Sequence, residues 1–559
     1  MDPDAPTVGR HTSGSSAAWR RCFALARFSP KEAYSAVKPS TLAEERWFRH
    51  KLVDVTEFEV VDYAHLESGR SSGESLILGI LRFEGAGDYF VPLVIAEDAG
   101  LEGLRSERCV SSRAGAHCAK AYCVVEGESG RKRAALYDGA FHPGYINTVL
   151  DLIESDATVR SQRGQFRFRK VGGGSSERGW RIDKVGDAYT NSVVIAERRS
   201  AFKTFRLMSP GINPDVEVGV MLATMTGFHE TARVQGEVSY VDSLGVEYSV
   251  GVQTEEVPNI GDAWELVGVA LENVTKAVGT GRRAEGIERL NTDPILSSDA
   301  SWRLGGTVGR LHQALASIRA SGFGIREAGV GDVEMWRRNA KSRALRALSD
   351  IRDALSSSPG STDAASLARL ILNEKEAVLA AVGGASWGRA PDPGGVGMVM
   401  RCHGDLHLGQ ILVGPDGSYA ILDFEGEPLA SVEERRALTS PARDVAGMMR
   451  SYSYAANAAF ISAQTSGKEE YLGEVGGLLE GWESRTRKAF LEGYYHEASC
   501  GPRALVPEDA GARNALVSYF ELEKALYEVS YELNNRPSWA IIPLKGIARI
   551  IGNLGGGRL

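Results

Sequence analysis

The order of the hydrophobic patterns along the chain is the feature that most constrains its fold. In the first half, runs such as KLVDVTEFEVVDYAHL and NSVVIAERR alternate apolar and polar residues, the period typical of antiparallel strands. From GDAWELVGVALENVTKAV onward the period is helical to the C-terminus, apart from one short strand pair in the second half. Strands first and helices later indicate an α+β fold rather than alternating βαβ units.

A chain of 559 residues is too long for one ordinary hydrophobic core, which predicts several domains. We place an N-terminal cap subdomain at 1–158, in which 1–40 is an extension. A β-rich intermediate subdomain follows at 159–258, and residues 259–559 form a mainly helical C-terminal lobe.

Local segments give further expectations inside these subdomains. The polar stretches 101–135 and 355–395 have the composition of insertions or loops. QFRFRK and WRIDKV flank a glycine-rich run, which predicts a hairpin with a loose tip. In RWFRHK, Trp47 and Phe48 are expected to anchor the core of the cap.

Composition excludes several classes of function. A net charge of −8 and a pI near 5.8 provide no basic field for binding nucleic acid or an anionic membrane. The sequence contains no uninterrupted apolar run of about 18 residues, and its polar N-terminus lacks the apolar stretch of a signal peptide. The six cysteines form no C-x-x-C pair, which favours reduced thiols. We therefore expect a cytoplasmic protein with neither a nucleic acid nor a membrane as partner.

The stretch HGDLHLGQILVGPDGSYAILDFE, at 403–425, concentrates polar groups between apolar runs. His403 and His407 are four residues apart and would share one face of a helix, as zinc ligands do. The zinc-protease pattern H-E-x-x-H requires a glutamate that is missing here, and Gly404 disfavours a regular helix. The histidines are therefore not expected to bind zinc.

The carboxylates of the same stretch are better placed for chemistry. The turn formers GPDG lie between QILV and SYAILDF, which predicts a hairpin that brings Gln410 close to Asp423. Asp405 lies in the loop just before. Phosphoryl transfer uses an aspartate that orients the substrate hydroxyl and oxygen ligands that hold Mg²⁺ on the nucleotide phosphates. Taken alone, these residues also fit an ordinary polar turn.

The motif HGD-x-x-x-x-Q followed by D-F-E resembles the catalytic segment of the kinase-like fold shared by aminoglycoside phosphotransferases and small-molecule kinases, which usually have Asn in place of Gln. The longer match, HGDLHLGQ with ILDFEGEP, ERR and SPARDVAGMMRSYSYAA, is more similar to maltokinases, which phosphorylate maltose at its anomeric hydroxyl. The resemblance implies a bilobal protein-kinase-like fold that uses ATP and Mg²⁺. Asp405 would be the catalytic base, and the metal ligands would be Gln410, Asp423 and a second acid, Glu425.

A nucleotide kinase also needs a lysine on a strand, held by a glutamate on the next helix. Lys203 lies in the strand pattern SAFKTF, and Glu217 follows SPGINPD, where Pro214 fits a first helical turn. Each residue alone is a weak signal, but their order before HGD strengthens it. Maltokinases resemble this segment closely, which makes 159–258 the nucleotide-binding subdomain.

Two further segments are expected to contact the nucleotide. VGDAYTNSVVIAE would form the loop that cradles the phosphates, with Asn191 and Ser192 offering amides and hydroxyls. It lacks the Walker pattern G-x-x-x-x-G-K-[ST]. In VGVQTEEVPNIGDAW, the main-chain groups from Gln253 to Val257 would meet the adenine.

A C-terminal segment, YFELEKALYEVSYELNN, has helical periodicity that is most simply explained as core. Lys524, Tyr527 and Tyr531 nevertheless fall at i, i+3 and i+7, on one helix face. Maltokinases resemble this sequence, and there that face lines the disaccharide site. Tyrosine rings stack on the C–H faces of sugars, and a lysine donates to hydroxyl groups. The resemblance also places His407 beside the sugar.

We therefore expect an ATP-dependent maltokinase that makes maltose 1-phosphate for α-glucan, glycogen or trehalose metabolism. Its substrates would be maltose and ATP, and any trehalose synthase or glucan-building partner would be a separate chain. The nearest alternative is another sugar kinase on the same scaffold, such as a glucosamine kinase. Because an amino sugar needs a carboxylate near its amino group, Lys524 and its neighbouring tyrosines favour a neutral sugar.

An aminoglycoside phosphotransferase and a non-catalytic pseudokinase are less favoured. An aminoglycoside phosphotransferase binds a polycation, and the C-terminal helices contain no dense acidic cluster. A pseudokinase usually lacks at least one residue of the machinery. Here the set is intact: Lys203, Glu217, Asp405, Gln410 and Asp423.

Replacing Asp405 by Asn tests the assignment of the base. We expect kcat to fall by at least roughly 10²-fold, because the hydroxyl proton loses its acceptor. Nucleotide affinity should change little. Steady-state kinetics with ATP and nucleotide titration measure the two effects, and near-wild-type turnover would contradict the assignment.

Overall fold

The computed structural model describes most of the chain. The described ranges are 30–51, 53–67, 74–97, 121–127, 130–172, 182–188, 191–197, 199–357, 362–384, 396–427, 430–466, 469–501 and 504–554. The start of the predicted extension, most of the stretch 101–135 and parts of 355–395 lie outside them. The chain divides into two compact units: Met1–Ile212 with Val234–Glu256, and Asn213–Arg233 with Val257–Leu559. The predicted boundaries at 158 and 258 stay a prediction.

The first unit begins with an antiparallel sheet in the order β1-β2-β4-β6-β5, with β3 paired to β2. Its strands are β1 (Phe58–Glu67), β2 (Glu74–Phe83), β3 (Gly87–Phe90), β4 (Leu93–Glu97), β5 (Ala121–Gly127) and β6 (Gly130–Asp138). The helices of this unit are α1 (Pro30–Ser35), α2 (Pro39–Glu44) and α3 (Pro143–Glu154). Trp47 and Phe48 are fully buried, and the Phe48 ring stacks on Tyr89 at 4.8 Å, which confirms their prediction as core anchors.

A second antiparallel sheet completes this unit in the order β7-β8-β12-β13-β11-β10-β9. Its strands are β7 (Thr158–Arg160), β8 (Gln165–Lys170), β9 (Ile182–Ala188), β10 (Asn191–Ala196), β11 (Ser200–Phe205), β12 (Val234–Val241) and β13 (Glu247–Glu255). The predicted hairpin of β8 with β9 is wrong, because β8 pairs with β12 and β9 pairs with β10. Phe166 and Phe168 of β8 face Tyr240 and Val238 of β12, so distant apolar partners prevail over the neighbouring strand.

Buried polar groups connect the two sheets of the first unit. Asp62 of β1 is 1% exposed and accepts hydrogen bonds from the hydroxyls of Ser161 (2.6 Å) and Tyr240 (2.7 Å). Two backbone N–H groups, of Tyr63 and Arg163, also donate to it. Because all four groups donate to the same carboxylate, these hydrogen bonds offset the cost of burying its charge. They also fix the position of β1 relative to β12.

The second unit is mainly helical. Its helices are α4 (Pro214–Met225), α5 (Ala263–Gly279), α6 (Arg283–Thr292), α7 (Ser298–Ser317), α8 (Val330–Ser357), α9 (Asp363–Asn373), α10 (Lys375–Val382), α11 (Val432–Arg436), α12 (Ala442–Ser466), α13 (Leu472–Ala498), α14 (Ala510–Asn535) and α15 (Ile541–Leu554). Its short strands are β14 (Gly261–Asp262), β15 (Arg326–Glu327), β16 (Met398–Val399), β17 (Ile411–Val413) and β18 (Tyr419–Ile421). Sheets form from β14-β17-β18 and from β15-β16.

The helices of the second unit bury one apolar core, to which α7, α12, α13 and α14 all contribute. α4 starts as its sequence predicts, since the Asn213 side chain accepts from the Asp215 N–H and Pro214 occupies the first turn. Among the described residues, none of the helices combines the length and the apolar character needed to cross a membrane.

Replacing Asp62 by Ala tests the polar connection in the first unit. We expect the free energy of unfolding to fall by about 3 kcal/mol, because several buried donors lose their acceptor. Tyr240→Phe removes one of these donors and should cost only about 1 kcal/mol. Urea denaturation gives the energies, and hydrogen exchange of the β1 and β12 amides locates the loss. Equal effects of the two variants would contradict the role of Asp62.

Candidate active site

The predicted hairpin forms between β17 and β18. Ile411 pairs with Ile421, and Val413 pairs with Tyr419. The turn closes through the Gly414 N–H, which donates to the Ser418 carbonyl at 2.8 Å. All but one of the strand residues are buried, so the hairpin is fixed by core packing at its strands and by hydrogen bonds at its turn.

The open end of this hairpin brings Gln410 to Asp423, as the sequence predicts. Gln410 Nε2 donates to Asp423 Oδ2 at 2.9 Å, and the Leu422 N–H donates to the Gln410 carbonyl. Asp423 has a φ of 68°, a left-handed backbone that non-glycine residues rarely adopt. Such strain persists only where the surroundings fix it, and it is frequent at functional sites.

Three carboxylates gather beside this end of the hairpin. Oxygens of Asp215, Asp423 and Glu425 lie within 4.8 Å of one another. Asp215 also accepts the Phe424 N–H at 2.8 Å, which connects the start of α4 to the D-F-E segment. Hard oxygen donors at this spacing fit Mg²⁺. Asp215 was not predicted, because NPD in the sequence indicates only a helix start.

The loop that carries Asp405 is held by the carboxylate of Asp444 on α12. The backbone N–H of His403 donates to Asp444 Oδ2 at 2.7 Å, and that of Gly404 donates to Oδ1 at 2.9 Å. Gly404 has a φ of 89°, which explains why a glycine precedes Asp405. Both carboxylate oxygens therefore orient the loop.

Further contacts orient Asp444 and the loop histidine. His312 of α7 is fully buried; its Nε2 donates to Asp444 Oδ2, and its Nδ1 lies 3.0 Å from the Tyr494 hydroxyl. Burial alone would raise the pKa of the Asp444 carboxyl, but hydrogen bonds from His312 and Gly404 hold it below its usual value. His403 Nε2 donates to the Leu422 carbonyl, which joins the loop to the hairpin.

Asp405 forms an ion pair with the lysine of the predicted sugar face. Lys524 Nζ lies 2.9 Å from Asp405 Oδ1 and 3.3 Å from Glu427 Oε1. Burial would lower the pKa of Lys524, but the carboxylates of Asp405 and Glu427 raise it above its usual value. Burial would raise the pKa of Glu427, but Lys524 and Arg343 lower it well below its usual range. Lys524 and Glu427 are therefore both charged near neutral pH.

More charged groups line the pocket at Asp405. Arg343 Nη2 lies 2.7 Å from Glu427 Oε2, and Arg443 Nη2 lies 2.9 Å from Glu523 Oε2. Both pairs line the pocket together with Asp405 and Lys524. Sequence reasoning missed these residues; the only signal was Glu427, two positions beyond the D-F-E motif.

The aromatic residues of α14 lie next to this pocket. The rings of Tyr527 and Tyr531 stack at 6.5 Å and 23°, and Lys524 Nζ lies 5.3 Å from the Tyr527 ring. Tyr531 is 43% exposed, so a ligand can reach its ring. His407 caps the short helical turn before β17, where its Nδ1 accepts the Gly409 N–H. The sugar-binding roles of these residues stay predictions.

The two residues of the predicted ion pair belong to different units: Lys203 to the first and Glu217 to the second. Lys203 lies in β11, with its Nζ 5.4 Å from the Phe205 ring. Glu217 of α4 accepts hydrogen bonds from Arg401 at 2.7 Å and from Arg436 at 3.0 Å. The pairing of Lys203 with Glu217 stays a prediction.

The other predicted nucleotide contacts start in the first unit. Asn191 and Ser192 begin β10 and are buried, and the Ser192 hydroxyl accepts from Arg206 Nε at 3.0 Å. The Gln253 side chain donates to Ser200 within the sheet. Val257 follows in the second unit, where its carbonyl accepts from the side chain of Asn259. Their contacts with a nucleotide stay predictions.

Comparisons with known proteins find relatives among sugar kinases. No family model matches the chain. It is 24% identical over 474 residues to a glucosamine kinase of Streptacidiphilus jiangxiensis, covering 84% of this chain and 87% of the relative. It is 28% identical over 355 residues to a glucosamine kinase of Mycolicibacterium smegmatis, covering 63% of this chain and 75% of the relative.

Solved structures agree on the fold. A glucosamine kinase in complex with glucosamine, ADP and inorganic phosphate matches with a TM-score of 0.58 at 18% identity, covering 93% of this chain and 99% of that one. A second crystal form gives 0.59 at 19% identity, with coverage of 94% and 99%. The chain therefore has the kinase-like fold of these structures. This confirms the fold predicted from the sequence, with antiparallel sheets first and a mainly helical C-terminal part.

Asp444→Asn tests whether this carboxylate positions the loop that carries Asp405. An amide has one acceptor oxygen, so its nitrogen would face a backbone N–H and displace the loop. We expect kcat of the predicted kinase reaction to fall by about 10²-fold, with the KM for ATP little changed. The matched control is Asp299→Asn, which removes an exposed carboxylate on α7. A variant with normal kcat would contradict the role.

The same variant has an expected pH signature. Because the folded pKa of Asp444 is lowered, its stabilisation is present above the unfolded pKa of about 3.9 and is lost as the pH falls through the folded pKa. Wild type and Asp444→Asn should therefore differ in unfolding free energy at neutral pH and converge at acidic pH. Thermal unfolding across this range measures the difference, and a constant gap would contradict it.

Proposed function

We propose that this chain is an ATP- and Mg²⁺-dependent sugar kinase. The observation that carries the proposal is that one hairpin has two features beside it. One is the loop that carries Asp405 and is held by Asp444, and the other is the set of carboxylates of Asp215, Asp423 and Glu425. This combination of a fixed acid and hard oxygen ligands suits phosphoryl transfer. The kinase-like fold and the relatives named as glucosamine kinases support the same class.

Each residue then has a defined task. Asp405 accepts the proton of the substrate hydroxyl and orients its oxygen toward the terminal phosphate. Asp215, Asp423 and Glu425 would hold Mg²⁺, which neutralises charge on the phosphates when bound. Gln410 restrains Asp423 through its amide, in addition to its predicted place as a ligand. Asp444 keeps the loop in position.

Glucosamine is the first substrate to test. The relatives that share most of their length with this chain are named for it. Lys524 does not exclude an amino sugar, because two carboxylates, Asp405 and Glu427, face this lysine. A carboxylate near the substrate, which an amino sugar requires, is present in Glu427.

Maltose is the second candidate. It is favoured by the stacked pair Tyr527 and Tyr531, which offers apolar ring faces beyond the pocket of Asp405. Rings of this kind suit the C–H faces of a second sugar unit. The similarity of HGDLHLGQ and ILDFEGEP to maltokinases points the same way. Glycogen or trehalose metabolism, with a separate glucan-building partner, follows only if maltose is the substrate.

A sugar panel tests the proposal. Purified protein with ATP and Mg²⁺ is assayed for ADP release with glucosamine, glucose, N-acetylglucosamine and maltose. We expect the highest kcat/KM with glucosamine and loss of turnover when EDTA removes the metal. Asp405→Asn, purified in parallel, controls for a contaminating kinase.

The remaining outcomes of the panel each decide something. Preference for maltose would replace the first candidate by the second. Nucleotide binding with no ADP release from any sugar would contradict the proposal and favour the non-catalytic binding protein.

A further inference from the structure

The Lys524 ammonium occupies a place that a substrate cation would fit. It lies between one oxygen of Asp405 and one of Glu427, at 2.9 and 3.3 Å, and its side chain is only 22% exposed. A primary ammonium group offers three donors on one carbon chain. The protonated amine of an amino sugar offers the same three donors, so both groups satisfy the same acceptors.

We propose that Glu427 is the carboxylate that binds the substrate's ammonium, and that Lys524 fills this place when no sugar is bound. This inference rests on the proposed function and assigns the substrate class, a protonated hexosamine, to named residues. Asp405 keeps its task at the reacting hydroxyl. Lys524 is then a specificity-determining residue, because it competes with the substrate amine for Glu427. A neutral sugar has no amine and meets no such competition.

The arrangement of acceptors singles out Glu427 among the acids of the pocket. Its Oε2 accepts from Arg343 at 2.7 Å, whereas its Oε1 has only longer contacts, 3.3 Å to Lys524 and 3.4 Å to Arg343. Both oxygens of Glu523 accept from Arg443, at 2.9 and 3.2 Å, so that group has little capacity for another cation. Glu427 therefore offers an oxygen held only by long contacts, from which the Lys524 ammonium can be displaced.

Lys524 can also leave Glu427 and still keep other groups that stabilise its charge. Its contact with Asp405 is the shorter of the two, and the Tyr527 ring lies 5.3 Å from its Nζ. Four rotatable carbons allow the ammonium to shift while its stem remains on α14. An arriving amine would therefore take over Glu427 while Lys524 stays near Asp405.

The test compares glucosamine with glucose, which differ only at the amino group. Both sugars are assayed at a pH below the pKa of the sugar amine. The measured quantity is the ratio of kcat/KM for glucosamine to that for glucose. Lys524→Met should raise this ratio about tenfold, because the competing charge at contact distance is removed. Glu427→Gln should lower it about tenfold for the opposite reason. Lys524→Arg, which keeps the charge, should stay near wild type.

The ratio separates this role from general damage, because a misplaced Asp405 slows both sugars equally. Lys545→Met, which removes a lysine of α15 outside the pocket, is the matched charge control. Circular dichroism checks folding. If Glu427→Gln does not fold, Lys524→Met alone decides.

The results also distinguish this inference from the proposed function. If the wild-type protein phosphorylates neither glucosamine, glucose nor any other sugar of the panel, the proposed function is contradicted. Active protein whose ratio is unchanged in Lys524→Met, or falls in it, overturns the inference and leaves the kinase assignment standing.

Discussion

The rest of the candidate active site depends on the buried carboxylate of Asp444. It receives backbone N–H groups from two consecutive residues of the loop that carries Asp405 and a side-chain N–H from His312. A buried charge is tolerated only when its oxygens are satisfied, and these donors satisfy both of them. The loop therefore has one low-energy position relative to α12. Asp405 follows Gly404 directly, so this anchor also determines where the candidate base lies.

A second set of buried charges determines how α14 presents Lys524. Arg450 of α12 binds Glu528 at 2.8 Å, and Arg487 of α13 binds Glu521 at 2.8 Å through each of two nitrogens. These pairs add little net stability, because desolvation offsets much of their attraction. Breaking one is costly, however, so a rotated α14 is disfavoured. Lys524 lies between Glu521 and Glu528 along the helix, and its direction toward Asp405 follows from them.

Local signals predicted the parts of the site that local sequence determines. The turn GPDG and its apolar flanks predicted the hairpin, and SPGINPD with Pro214 marked the start of α4. These features depend on hydrogen bonds and backbone preferences within a few residues. Helical spacing likewise predicted that Lys524 and Tyr527 share a face.

Contacts between distant segments could not be predicted in this way. Lys524 and Asp405 are 119 residues apart, and nothing in either segment specifies the other. Asp215 and Phe424, which form a hydrogen bond, are 209 residues apart, so the third carboxylate was not predicted. The pairing of β8 with β12 was missed for the same reason, since cross-strand packing of Phe166 and Tyr240 depends on the assembled sheet.

The charge that a ligand meets is the net charge of the pocket, which single residues do not reveal. Lys524 taken alone indicated a site for neutral sugars. In the structure, the described cations of this pocket each face a carboxylate: Lys524 faces Asp405 and Glu427, Arg343 faces Glu427, and Arg443 faces Glu523. Such a lining has no surplus positive charge to repel an ammonium group. Substrate preference then depends on which ion pair requires the least free energy to separate. In the proposed binding mode, the lysine that argued against an amino sugar thus marks the position where its amine would bind.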